Sequence, residues 1–445
     1  MRPRKKGKQM KRKVLVIGSG GREAVTVWKI KDCLDPNVEI HCAPGNAGME
    51  PMAKLHDVKT NDIDGLCALA EKLRPDIVIP GPEEPLVLGI ADRLSTLGIA
   101  CVGPSAKAAR LEGSKVFAKR FMRRHNIRTA HFRVFDDLNE ALQNIIGMFH
   151  DYDGLPDSPA IVIKTDGLCG GKGVLIPANE EDAVEGINDI MEKKKFGSAG
   201  DRIVVEERLR GHECSFIVLT DGKNVVPLLP AVDYKRRFEG DEGPNTGGMG
   251  AYCPNPLITP NLHEEIIEDI VLPTIRGMTY EGNPYRGFLY FGLMITENGP
   301  YVLEYNVRMG DPEASVILPL VDCDITELLI AAATGDISGI ELKWKNAAAV
   351  AVVLTAENYP KGKSEGASIY GLTEARSLGA LVFSAGVLPP KIFGQPLITY
   401  GGRILEVVGV GKDFTTARGI AYAGAEVIQF RDKAYRPDIA ARLIK

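Results

Sequence analysis

Ile161-Val162-Ile163-Lys164-Thr165-Asp166-Gly167-Leu168-Cys169-Gly170-Gly171-Lys172-Gly173-Val174 is the most telling stretch of the chain. An apolar strand ends in a lysine, a glycine loop carries a second lysine, and another strand leaves. The segment is not a P-loop: Asp166 stands where the first glycine belongs, and Gly173 where a Ser or Thr would hold magnesium. Because the loop joins two strands, it can fold over a triphosphate as a mobile flap. Lys164 and Lys172 would then neutralise phosphate charge, and Gly170, Gly171 and Gly173 would let backbone approach the oxygens. The alternative is an exposed hairpin with solvated lysines, and the density of glycine weighs against it.

Three further stretches carry chemistry. In Val302-Leu303-Glu304-Tyr305-Asn306-Val307-Arg308-Met309-Gly310-Asp311-Pro312-Glu313, strand alternation puts Glu304 and Asn306 on one face. Two oxygen ligands side by side suit Mg2+, which also takes phosphate oxygens and water. Arg308 is expected to continue that face and to hold a carboxylate or a phosphoryl group in transfer. The wet face of an edge strand is the bland alternative. Gly243-Pro244-Asn245-Thr246-Gly247-Gly248-Met249-Gly250 can wrap a polar ligand or be a passive surface loop, and composition alone leaves both open. The turn Gly18-Ser19-Gly20-Gly21-Arg22-Glu23 would aim backbone N–H groups at an anion. It fails as a dinucleotide fingerprint, since the third glycine would fall at Glu23.

Around these stretches the chain reads as three units behind a basic tail. Residues 1–12 form the tail, expected to be disordered or to reflect an upstream start, with Met10 just before the first strand. Residues 13–112 alternate apolar strands (13–17, 38–42, 76–80, 100–102) with helices, which predicts a parallel sheet covered on both faces. Residues 113–335 mix hairpins with helices, an α+β pattern. Residues 336–445 read as a small α+β unit with no chemically rich cluster of its own. The fold class is therefore α/β and α+β multidomain.

Composition bounds the function. A chain of 445 residues, 44% hydrophobic and 25% charged, is ordinary for a globular protein. The net charge of −4 implies no global attraction to nucleic acid. Eight lysines and arginines lie within Met1–Lys13, so a nucleic-acid arm is a minor alternative. No two of the eight cysteines have CxxC spacing, which argues against structural zinc and fits a reducing compartment. No apolar run is long enough for a signal peptide or a membrane span, so a cytoplasmic protein is expected.

Taken in order, these motifs resemble the phosphoribosylamine–glycine ligases (glycinamide ribonucleotide synthetases), a family of the ATP-grasp superfamily. The resemblance runs from about residue 13 to 439. It is also carried by Ala43-Pro44-Gly45-Asn46-Ala47-Gly48, Gly81-Pro82-Glu83-Glu84-Pro85-Leu86, Leu111-Glu112-Gly113-Ser114-Lys115, Gly287-Phe288-Leu289-Tyr290 and Gly401-Gly402-Arg403. The Gly243–Gly250 loop is its most specific part, whereas the flap and the Glu-x-Asn strand mark only the superfamily. The chain departs from the family pattern at Ala24, which replaces a histidine, at Tyr234, where Asp-His-Lys is common, and at Val307 and Met309. Losing both histidines speaks against a histidine base. Gly292 sits where many relatives place another metal ligand.

The resemblance implies an N-terminal sheet domain, an ATP-grasp body with a lid over about residues 130–205, and a C-terminal cap. It implies ATP contacts from Lys115, Lys164, Gly170, Gly171, Lys172 and Gly173, with Glu206 and Leu209 at the adenine edge and Glu213 on the ribose. Contacts to 5-phosphoribosylamine and glycine are implied for Gly20, Gly21, Arg22, Asn46, Glu83, Asp233, Lys235, Asn245, Thr246, Gly247 and Gly248. Arg308, Lys172 and Asp311 are implied as catalytic, and Glu304 and Asn306 as ligands of Mg2+ (or Mn2+). The implied reaction joins glycine to 5-phosphoribosylamine through glycyl phosphate, with ATP giving ADP and phosphate. Expected partners are these small molecules, with no nucleic acid and no membrane, for a monomer or weak dimer. No fused later pathway enzyme is expected. Another ATP-grasp carbon–nitrogen ligase or a carboxylase is the nearest alternative, and a non-enzymatic nucleotide-binding regulator a distant one.

Overall fold

The computed structural model describes residues 12–32, 38–151, 161–170, 173–390, 392 and 394–444. The basic tail before Arg12 lies outside the described residues.

The N-terminal unit is built on β1 (Lys13–Gly18), β2 (Glu39–Pro44), β3 (Lys54–Leu55) and β4 (Ile77–Pro80). These pair in parallel in the order β3-β2-β1-β4. Every residue of β1 after Lys13 is buried, as a sheet covered on both faces requires. Its helices are α1 (Gly21–Asp32), α2 (Ile63–Leu73), α3 (Glu83–Val87) and α4 (Ile90–Thr96). Two expectations need correction. Alternation with the flanking strands predicts one helix over 84–97, but the structure holds two, because Gly89 adopts φ 87° and turns the chain between them. The strand read at 100–102 is a single bridge from Cys101 to Val78.

Helices α5 (Ala106–Gly113) and α6 (Lys115–Arg124) lead into the middle of the chain. Ser114 lies between them in an extended conformation and caps α6 through Phe117 N–H. The lid follows: β5 (Phe132–Phe135), α7 (Leu138–Asp151), β6 (Ile161–Thr165), β7 (Val174–Leu175), α8 (Glu180–Ile187) and β8 (Ile203–Glu207). Its sheet is antiparallel, ordered β5-β8-β6-β7. Phe135, Ile145, Ile161, Ile163, Ile187 and Val205 belong to a hydrophobic cluster of its own.

The body sheet is ordered β10-β9-β15-β16, from β9 (His212–Thr220), β10 (Val225–Pro227), β15 (Gly287–Thr296) and β16 (Gly299–Asn306). Between β10 and β15 come β11 (Val232–Asp233), β12 (Arg236–Phe238), β13 (Glu242–Asn245), β14 (Gly250–Cys253), α9 (Pro260–Ile266) and α10 (Leu272–Tyr280). After β16 come α11 (Glu313–Ile317) and α12 (Ile325–Thr334).

The C-terminal unit holds β17 (Ala348–Ala356), β18 (Ser364–Ser368), α13 (Leu372–Ser377), β19 (Leu381–Ser384), β20 (Val387–Leu388), β21 (Ile398–Gly401), β22 (Arg403–Gly411), α14 (Phe414–Val427) and β23 (Lys433–Ala434). Its main sheet runs β11-β14-β17-β22-β19, with β23 also on β17. Two of those strands therefore come from the middle of the chain, through register pairs such as Gly250↔Val352 and Tyr252↔Val350. The loop joining β13 to β14 is thereby tied to both units.

Candidate active site

One side of the candidate site is set by the lid sheet. Lys164 is buried on β6, opposite Val174 and Val204. Its Nζ lies 3.0 Å from Glu206 Oε1 and donates to Leu303 O at 3.1 Å. Lys119 of α6 approaches the same carboxylate from the other side, at 2.8 Å, and donates to Thr129 Oγ1 at 2.6 Å. Burial pushes the Glu206 carboxyl up, but Lys164 and Lys119 outweigh it and hold it below its ordinary value. Burial, then the neighbouring Lys164 charge, brings the Lys119 ammonium down to about 8. Removing one partner of a buried ion pair is costly, so Lys119→Met is expected to lose about 3 kcal/mol in urea unfolding. Adding Glu206→Gln should recover part of that loss.

The flap tip differs from its expected role in one respect. Gly170 adopts φ 55°. An added Cβ at Gly173 would collide with Thr165 Oγ1, so this glycine is required by close packing of the hairpin as well. Gly171 and Lys172 lie outside the described residues.

The opposite side is the body strand β16. Glu304 and Asn306 face Gly292 and Tyr290 across the ladder. Lys115, the first residue of α6, lies 3.6 Å from Glu304 Oε2. Burial pushes the Glu304 carboxyl up, yet Lys115, Lys235, Lys164 and Arg308 bring it down to about 2. It is thus an anion at working pH, beside an amide oxygen, a donor set that fits a hard divalent cation. Gly292 puts no third ligand opposite. Among the described residues no three His, Cys, Asp or Glu side chains converge to hold a metal unaided. Phosphate oxygens and water would have to complete such a site.

Arg308 lies beyond the end of β16, so it does not continue the Glu304–Asn306 face as strand alternation predicted. It turns back to the N-terminal unit. Nε lies 3.1 Å from Glu83 Oε2 and Nη2 lies 3.1 Å from Glu112 Oε1. Glu112 Oε2 also accepts Val307 N–H at 2.7 Å. Burial pushes the Glu112 carboxyl up to about 7 despite Arg308. At Glu83 burial pushes the same way, but Arg308 and Arg22 hold it below its ordinary value.

The first glycine turn is committed to its own helix. Gly20 N–H donates to Glu23 Oε2 at 2.6 Å, the usual placement of an acid at a helix N-terminus. Arg22 is buried, 2.7 Å from Glu23 Oε1, and donates to Met309 O at 3.1 Å. A Cβ on Gly21 would strike Glu406 Oε1. Asn46 Nδ2 donates to Ser19 O and Ser384 O, and its Oδ1 accepts from Gly48 N–H and Ser384 Oγ. Asn46 therefore shapes the wall, with both amide hydrogens already engaged.

The 243–250 loop is not a passive surface loop, because both sequence neighbours and the C-terminal unit pin it. Asn245 pairs with Arg236 in the β12–β13 ladder. Thr246 Oγ1 donates to Lys235 O at 2.9 Å. Gly247 N–H donates to Tyr359 OH at 2.8 Å, and Gly247 O accepts from Arg403. Gly248, at φ 111°, packs on Pro312. Arg403 Nη1 also lies 2.9 Å from Asp311 Oδ1. Lys235 lies 2.7 Å from Glu213 and 3.6 Å from Asp233, so the expected ribose and substrate contacts form one ion-pair group. Burial pushes the Asp233 carboxyl up to about 7 against Lys235. Leu209 is half-buried in the link from β8 to β9.

The C-terminal unit, read from sequence as holding no chemically rich cluster of its own, places Arg403, Tyr359 and Glu406 against these residues of the middle unit. Lys119, Tyr359 and Glu406 were not singled out from sequence, and Glu112 appeared there only as part of the 111–115 motif. A lone acid in an apolar strand (Glu406 in β22) was the available signal. One in the apolar face of a helix (Glu112 in α5) was another.

Comparison with known proteins decides the lineage. Three family models of phosphoribosylglycinamide synthetase match in sequence order: the N domain over residues 12–112, the ATP-grasp (A) domain over 113–314 and the C domain over 349–442. The chain belongs to this family. The chain is 43% identical over 435 residues to the phosphoribosylamine–glycine ligase of Vibrio vulnificus, covering 97% of this chain and 98% of that one. It is 41% identical to the trifunctional purine biosynthetic protein adenosine-3 of Homo sapiens, over 98% of this chain and 42% of that protein. The crystal structure of the Thermotoga maritima phosphoribosylamine–glycine ligase superposes with a TM-score of 0.83 at 36% identity, covering 96% of this chain and all of that one. A biotin carboxylase from Campylobacter jejuni, 15% identical with a TM-score of 0.69, shares the fold alone. As a phosphoribosylglycinamide synthetase family member, the protein is an ADP-forming ATP-grasp ligase of de novo purine biosynthesis. Enzymes of this fold use ATP and divalent cations.

Proposed function

We propose that this enzyme joins glycine to 5-phosphoribosylamine by way of glycyl phosphate, in the cleft between the lid and β16. The observation that carries this reading is one cavity lined by Lys115, Lys164 and Glu206 on one side and Leu303 and Glu304 on the other. Its free volume is only about 10 Å³, so the lid would have to lift for a triphosphate to enter. What it brings together is lysines suited to phosphate and an ionised carboxylate suited to a metal.

A carboxylate is a poor acylating agent, because its leaving group would be oxide. Attack of a glycine carboxylate oxygen on the γ-phosphorus forms the acyl phosphate and releases ADP. The sugar amine then attacks the carbonyl carbon, phosphate leaves, and the nitrogen loses a proton. Both steps ask for alignment and charge neutralisation more than for a strong base. Lys115 and Lys164 would hold the phosphates, with Lys172 approaching from the flap. Glu304 and Asn306 would hold Mg2+, or Mn2+ in its place, which when bound supplies positive charge to the phosphate oxygens. Glu206 and Leu209 would border adenine and Glu213 the ribose. Arg308, Asp311 and Lys235 would orient the glycine and the acyl phosphate. Gly20, Gly21, Arg22, Asn46, Glu83, Asp233 and the Asn245–Gly248 loop would form the phosphoribosylamine side. Lid closure would keep water from the acyl phosphate.

The seven described cysteines are free, which supports a reducing compartment such as the cytoplasm. Among the described residues no helix is long and apolar enough to cross a membrane. A monomer or weak dimer is the working assembly, to be read by sedimentation.

The test is ADP release measured with glycine and phosphoribosylamine together, with each alone, and with bicarbonate in place of glycine. Release is expected only with the first mixture. Turnover with bicarbonate and none with glycine would overturn the reading.

A further inference from the structure

A fully buried carboxyl group, Glu406, and a partly buried one, Asp311, come together where the C-terminal unit touches α1. Glu406 projects inward from β22 and is fully buried. Asp311 lies in the turn after Arg308, next to Gly20, and its carboxyl group and that of Glu406 perturb each other. Ser315 Oγ donates to Glu406 Oε2. Glu406 Oε1 lies against Gly21, is buried, and has no hydrogen-bond donor on it among the described residues. The charged groups facing the pair are Arg403 on β22, Arg22 and Glu23 on α1, Arg308, and Glu313 on α11. β17 and β19, which flank Glu406, present Val353 and Phe383.

Among the described residues, Arg403 is the guanidinium that ion-pairs with Asp311, at 2.9 Å. Two carboxylates in contact and out of water do not both ionise. A deprotonated Glu406 would need a second donor, and Ser315 is the only one present among the described residues. A protonated Glu406 needs an acceptor, and Asp311 is there. We propose that Glu406 is a positioning residue for the ligase reaction, a neutral acid whose proton is donated to Asp311, so that the pair carries one negative charge. Burial, reinforced by Asp311, pushes the Glu406 carboxyl up, whereas Arg403 and Arg22 overcome burial at Asp311 and hold it down.

The arrangement has two effects. It fixes the Asp311 carboxylate between Gly20 and Arg403, in the wall that the 243–250 loop completes. It also spares the anionic substrates a second negative charge at the start of α1. The protonation state rests on the full burial of Glu406 and on the missing donor at its Oε1, and only the benefit to catalysis rests on the ligase reading.

The experiment pairs infrared difference spectroscopy with kinetics on the full chain. A protonated-carboxyl stretch is expected in wild type and missing in Glu406→Gln, even at about pH 9, where Glu112 and Asp233 are ionised. Glutamine keeps a hydrogen-bond donor, so glycine-dependent kcat/KM should stay within about threefold of wild type. Glu406→Leu leaves Asp311 short of a donor and should lower kcat/KM on the order of ten- to a hundredfold. Absence of the band, or a glutamine variant as impaired as the leucine one, would overturn the proposal. If Glu406→Leu does not fold, the band and the glutamine variant decide alone. If wild type shows no glycine-dependent turnover, the ligase reading fails while the band still reports on Glu406.

Discussion

Replacing Glu304 and Asn306 together by alanine is expected to abolish glycine-dependent ADP release, a fall of about a thousandfold or more in kcat. Both oxygens sit on one face of β16, and Gly292 opposite offers no substitute ligand. Fold should survive, because the backbone ladder from Tyr290↔Asn306 to Thr296↔Gly299 does not depend on either side chain. Glu304 pairs only loosely with Lys115, at 3.6 Å, and a third of its side chain is open to solvent. A melting curve displaced by no more than a few degrees, about 1–2 kcal/mol for a chain of this size, would separate lost catalysis from lost structure. Undiminished turnover would refute the metal assignment.

The second large effect is expected at Arg308. Its guanidinium spans Glu83 and Glu112, and so ties the N-terminal unit to the strand that carries the candidate metal ligands. Arg308→Met would leave the Glu112 carboxyl buried without its cation, a defect of about 3–5 kcal/mol. The loss should depend on pH in a definite sense. Glu112 already has its folded value raised from 4.5 to about 7. The folded state therefore holds more protons than the unfolded one between those values, and stability falls as pH rises through that window. Without Arg308 the folded value moves higher, so urea unfolding should show a larger deficit near pH 8 than near pH 5. Adding Glu112→Gln should restore much of the stability but not the activity. A deficit independent of pH would show that Arg308 matters through packing and not through Glu112.

Much of this architecture was legible beforehand because it rests on local pattern. Apolar runs bounded by glycine or proline marked β1, β2 and β4, and the lysine–glycine hairpin marked the lid. Errors arose where a distant partner decides. Residues 100–102 look like a strand, yet only Cys101 finds a neighbour in Val78. Gly89 inside an apolar periodic stretch turned out to be a left-handed break. At the site, Glu304 and Asn306 could be placed on a common face from alternation alone. Arg308 could not, since the strand stops two residues earlier and Glu83 and Glu112 pull the side chain elsewhere. Tyr359 was invisible for the same reason, and Glu406 stood out only as a lone acid in an apolar strand: their partners lie more than ninety positions away.

The sharing of β11 and β14 with the C-terminal sheet has a consequence for biosynthesis. On the ribosome, the 243–250 loop emerges roughly a hundred residues before the strand that pairs with β14, and 112 and 156 residues separate Gly247 from the side chains that anchor it, Tyr359 and Arg403. A nascent chain halted near residue 346 would present β14 as a bare edge and invite aggregation. Its most specific motif would hang untethered, so the polypeptide should gain ligase competence late, as its final quarter leaves the exit tunnel.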